Sequence, residues 1–72
     1  AGWAAEVEEM TPGAAAIAAP IRGYGGLVVG AIGVSGLVER VCDSHYHPRA
    51  TLVGYVREAA RAVSRDLGAA RL

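Results

Sequence analysis

Ala14-Ala15-Ala16-Ile17-Ala18-Ala19-Pro20-Ile21, then Arg22-Gly23-Tyr24-Gly25-Gly26, then Leu27-Val28-Val29-Gly30-Ala31-Ile32-Gly33-Val34-Ser35-Gly36, is the stretch whose reading decides the fold. The first run is short for a helix and contains Pro20 near its end. The glycines after Arg22 permit the positive φ angles of a hairpin connection, and Val and Ile enrichment makes the second run a strand. The reading is two antiparallel strands. Side chains alternate along each, so Ile17 and Ile21 with Val28, Ile32 and Val34 form a branched surface that can receive a helix. The opposite face carries Ala14, Ala16, Ala18, Gly33 and Ser35, small residues that leave room for a close neighbour or a cavity.

Upstream, Glu8-Glu9-Met10-Thr11-Pro12-Gly13 is a polar loop closed by a Pro-Gly turn signal. Downstream, Leu52, Val53, Val56, Ala59, Ala60, Val63 and Leu67 recur at three- and four-residue steps. They predict a helix with Pro48 in its first turn and Gly68 as its stop. Arg57, Glu58, Arg61, Arg65 and Asp66 fall on its outer side. The arginines repeat every four residues, an unfavourable like-charge row unless an acid offsets it, and such a row ordinarily stays solvated.

Seventy-two residues allow one domain, with a small core because 15 Ala and 10 Gly dominate the apolar share. Net charge is zero and the arginines are dispersed from Arg22 to Arg71, which argues against nucleic acid as a ligand of this segment. The glycine-broken uncharged stretch from Gly23 to Val38 is too short to span a bilayer, so no membrane partner is expected. One cysteine, Cys42, excludes an internal disulfide, and the expected location is cytoplasmic.

Cys42, Asp43, His45 and His47 are all metal-ligand types, but no distant Cys or His completes a set of four, and a loop role is preferred to a metal site. Ser35 lacks the glycine that would complete a nucleophile elbow, since Leu37 stands there. The glycine runs lack the Gly-Lys-Ser/Thr ending of a phosphate loop. Glu6, Glu8 and Glu9 have the chemistry of acids and bases, yet carboxylates before a turn ordinarily face solvent. No catalytic residue, metal or cofactor is expected, and the chain does not read as an enzyme.

Taken in order, Gly2-Trp3, the acidic stretch ending Pro12-Gly13, Ile17-Ala18-Ala19-Pro20-Ile21, Val34-Ser35-Gly36 and Val56-Arg57-Glu58-Ala59-Ala60-Arg61-Ala62-Val63-Ser64-Arg65-Asp66-Leu67-Gly68 resemble the closing part of the effector-binding domain of IclR-type transcriptional regulators. The resemblance spans nearly the whole chain. It implies an α+β, GAF-like fragment in which antiparallel strands carry a long C-terminal helix on one face and a small-molecule pocket on the other. The face assignment above agrees independently.

By the same resemblance, residues 1–72 are the C-terminal part of a ligand-sensing domain without its DNA-binding domain. The implied partners are a small organic effector such as a carboxylate metabolite, a homo-oligomeric copy, and DNA only through the missing domain. The family's pocket positions fall on Glu6, Ala16, Gly33 and Ser35, with Ala14 as a nearby wall. Ala16 and Gly33 stand where the family carries polar or thiol groups, which leaves Glu6 and Ser35 to orient a ligand. Leu37 replaces the family's usual proline, and the Val41 to Ala50 stretch is longer than typical. Two other classes remain open, a self-associating interaction module and a small metal-binding protein. If the small face is a cavity, Gly33→Val is expected to abolish effector binding with little loss of stability.

Overall fold

A computed structural model describes residues 2–70; Arg71, last of the dispersed arginines, lies outside them. Three strands, β1 (Ala4–Val7), β2 (Ala14–Arg22) and β3 (Val28–Leu37), form an antiparallel sheet in the order β1-β2-β3. A 3-10 turn at Tyr24–Gly26 joins β2 to β3. A short helix α1 (Val38–Val41) and a long helix α2 (Ala50–Ala70) follow. The arrangement is α+β, as the sequence pattern indicates. β1 is not legible in the sequence because Ala4, Ala5 and Glu6 carry little strand preference and Val7 alone favours a strand; it forms by pairing Ala5 with Ile17 and Val7 with Ala15.

The hairpin connection has the expected chemistry. Gly25 and Gly26 both take φ near +80°, a region that side chains other than glycine's rarely tolerate. Where the turn meets the strands the ladder is irregular: Ile21 pairs with Gly30, but Arg22 pairs with Val28. That extra residue reverses the alternation. Val28, assigned by simple alternation to the helix side, instead lines a groove with Ala18, Pro20 and Ala31 on the other face.

α2 lies mainly across β2. Ala15, Ile17 and Ala19 of the strand pack with Val56 and Ala60 of the helix, joined by Val41 and Cys42 and flanked by Trp3, Val7, Ile32, Leu52 and Val53. Three of these partners are alanines, so helix and sheet approach closely, and Ile17, 1% exposed, is the largest buried side chain of the interface. Val34 remains 40% exposed because α2 lies mainly over β2 and leaves a groove between β3 and Tyr55, Val56 and Ala59. The helix starts at Ala50 and continues past Gly68, so neither predicted boundary holds. Pro48 is held before the helix in an isolated bridge to Cys42, and intact backbone hydrogen bonding carries the helix through Gly68 at the modest cost glycine imposes.

Candidate functional site

On the side of the sheet away from α2, the pairing builds a cross-strand row. Glu6 of β1 lies opposite Ala16 of β2, and Ala16 lies opposite Ser35 of β3. With strands about 4.8 Å apart, the row spans roughly 10 Å between its outer Cα atoms. A second row alongside it runs Ala4, Ala18, Gly33, and Ala14 pairs with Leu37 at the far end. All five sequence candidates, Glu6, Ala14, Ala16, Gly33 and Ser35, therefore share one face. Ala4, Glu6, Ala16 and Ala18 line a shallow depression of about 170 Å³ there.

Glu6 is already partly occupied. Its Oε1 accepts the backbone N–H groups of Glu9 and Met10 at 2.7 and 2.8 Å, which ties the end of β1 to the following loop. Oε2 makes no hydrogen bond to any described residue. Glu8, at φ 58°, accepts the Gly13 N–H through Oε2 at 2.8 Å. Two members of the acidic stretch thus satisfy N–H groups of their own loop, the ordinary work of carboxylates in turns.

Gly33 departs from the expectation that it borders free space. A Cβ built there would stand 2.5 Å from the Ile17 carbonyl oxygen and 3.2 Å from Ala18 Cα, so backbone of β2 occupies the place of a side chain. The glycine serves strand apposition, and the expected tolerance of Gly33→Val does not hold.

The Cys42 to His47 segment is a self-contained loop. The Asp43 carboxylate accepts the N–H groups of His45 and His47 at 2.8 and 3.0 Å, and these bonds, before any charge effect of the imidazoles, hold its pKa below the ordinary 3.8. The two imidazoles stack with centroids 6.3 Å apart, and the Cys42 thiol is buried in the core. Arg49 closes the segment by donating to the Arg40 and Glu39 carbonyls at the end of α1. Among the described residues no three His, Cys, Asp or Glu side chains gather as a metal would require.

Sequence reasoning missed a different cluster. Arg22 at the end of β2 and Arg57, Arg61 and Arg65 of α2 converge on a cleft of about 300 Å³ floored by Ala19, Pro20 and Ala60. The helical repeat was visible in the sequence. Its meeting with Arg22 depends on the helix crossing β2.

The fold and its sheet face define an α+β segment with one sheet face packed on a helix and the other left open by small residues. The family model described as bacterial transcriptional regulator IclR C-terminal matches residues 1–65, and the chain belongs to that family. It is 54% identical over 71 residues to the glycerol operon regulatory protein of Streptomyces coelicolor, covering 97% of this chain and 27% of that protein. To the glycerol operon regulatory protein of Streptomyces griseus it is 50% identical over 70 residues, again 97% and 27%. The chain thus spans about a quarter of the length of these relatives, which their names describe as regulators. No helix among the described residues is long and apolar enough to cross a membrane.

Proposed function

We propose that residues 1–72 are the effector-sensing and oligomerising part of an IclR-type transcriptional regulator, cytoplasmic, without catalysis, and reaching DNA only through a separate domain. The observation that carries this reading is the Glu6, Ala16, Ser35 row on a sheet face that no helix among the described residues covers. Glu6 Oε2 and the Ser35 hydroxyl can bind hydroxyl groups, and the alanines between them leave space for a carbon skeleton. A ligand rich in hydroxyls suits an acidic side chain better than a carboxylate does, because a second negative charge beside Glu6 would repel it. The relatives' names point to a compound of glycerol metabolism, and a small polyol fits the same chemistry.

Calorimetric titration of the full-length regulator with glycerol and related polyols tests this proposal. Saturable binding that Ser35→Ala weakens and Ala16→Leu abolishes is the expected result. Binding unaffected by Ala16→Leu would remove the face from the effector site.

The exposed apolar edge favours a second reading, a self-associating interaction module without a small ligand. Val28, Val29 and Leu37 of β3 are 59%, 61% and 54% exposed, and among the described residues β3 pairs with β2 alone. Such an edge pairs readily with another strand. Sedimentation at micromolar concentration distinguishes the two: concentration-dependent oligomers with no polyol response support the module.

A further inference from the structure

We propose that the cleft between the end of β2 and α2 binds a dianionic oxyanion, such as the phosphoryl group of a small molecule, at a site separate from the small-residue sheet face. Guanidinium groups from two elements meet there. Arg57, Arg61 and Arg65 descend α2 at one-turn spacing, and Arg22 reaches the same space from the sheet. Arginine stays charged at any physiological pH, and its planar fork matches carboxylate and phosphate oxygens.

The chain's own acids leave this charge mostly unopposed. Glu58 is shared by Arg61 and Arg65, at 3.4 and 3.3 Å. Arg22 donates to the Gly26 carbonyl at 3.0 Å and meets no carboxylate among the described residues. Arg57, half-buried beside the cleft, has no hydrogen bond or ion pair with any described residue. A half-buried cation without a partner, inside a row of like charges, is an arrangement that local stability disfavours and that an anionic ligand would relieve.

The cleft is also held in shape. The Ser64 hydroxyl donates to the Ala60 carbonyl at 2.7 Å and accepts the Arg22 N–H at 2.8 Å, so one side chain fixes the strand end against the helix and holds Arg22 beside the helical row. Buried Ala19 and Ala60 let the two elements approach. Gly2, at φ 85°, borders the cleft beside Arg57, and a Cβ there would lie 3.7 Å from the guanidinium, in ordinary van der Waals contact. A volume of about 300 Å³ lies at the lower end for small-ligand sites and accommodates an oxyanion with a short skeleton.

The test is titration of the full-length regulator with inorganic phosphate at constant ionic strength, with chloride as the control anion and acetate as a monoanionic carboxylate. The expected result is saturable phosphate binding, one per chain, that exceeds the response to either control. Arg57→Gln should weaken it by about tenfold or more. Arg57→Lys, which keeps the charge and loses the fork, should fall between. Arg40→Gln, on the exposed face of α1, should leave it unchanged. Circular dichroism melting confirms that each variant is folded, and Arg57→Gln removes no hydrogen bond or ion pair among the described residues. A phosphate response no greater than chloride's would overturn the proposal. So would equal losses in Arg57→Gln and Arg40→Gln.

Discussion

Replacing Gly33 by alanine tests whether this glycine is there for strand apposition. The added Cβ would sit 2.5 Å from the Ile17 carbonyl oxygen and 3.2 Å from both Cα and Cβ of Ala18, so β2 and β3 must separate or twist to admit it. Overpacking of this kind typically costs about 1–3 kcal/mol, and the entropic gain from removing a strand glycine returns roughly 0.5–1 kcal/mol. The net expectation is a loss of about 1–2 kcal/mol. With a urea slope near 2 kcal/mol/M, that lowers the unfolding midpoint by roughly 0.5–1 M. Gly30 supplies the internal comparison, since it lies in the same strand and a Cβ there meets nothing within 4 Å. Gly30→Ala should therefore be neutral or stabilising. Equal midpoints for the two alanine variants would refute the apposition argument and restore Gly33 as a residue bordering free space.

Ile17, 1% exposed between the sheet and α2, should lose about 0.5–1.5 kcal/mol on Ile17→Val, read from the same urea unfolding curves. Two carboxylates should register acid. Hydrogen bonds from Arg65 and Arg61 lower the Glu58 pKa, and backbone N–H groups of His47 and His45 lower that of Asp43. Because both folded values lie below the unfolded ones, their stabilising effect is present above the ordinary 4.5 and 3.8 and is lost as pH falls through the lower folded values. Carboxyl NMR titration should place both midpoints below those ordinary values, and midpoints at or above them would contradict the assigned hydrogen bonds.

Periodicity and turn chemistry by themselves determined the hairpin of β2 and β3, the amphipathic helix, and which residues of β2 face it. These follow from local rules: alternation along a strand, 3.6 residues per helical turn, and positive φ at Gly25 and Gly26. The candidate face was legible for the same reason, because parity alone puts Ala14 with Ala16 and Gly33 with Ser35. Placing Glu6 on it required β1, a strand whose weak preferences are overridden by pairing with β2. Tertiary structure alone decided three further points. The irregularity at Ile21 and Arg22 moved Val28 to the opposite face, since one extra residue inverts a period of two. Close approach of β2 filled the space at Gly33, which no one-dimensional pattern encodes. The crossing of α2 over β2 brought Arg22 beside Arg57, 35 residues apart in the chain by their numbers, because burial of alanines sets how closely helix and strand can lie.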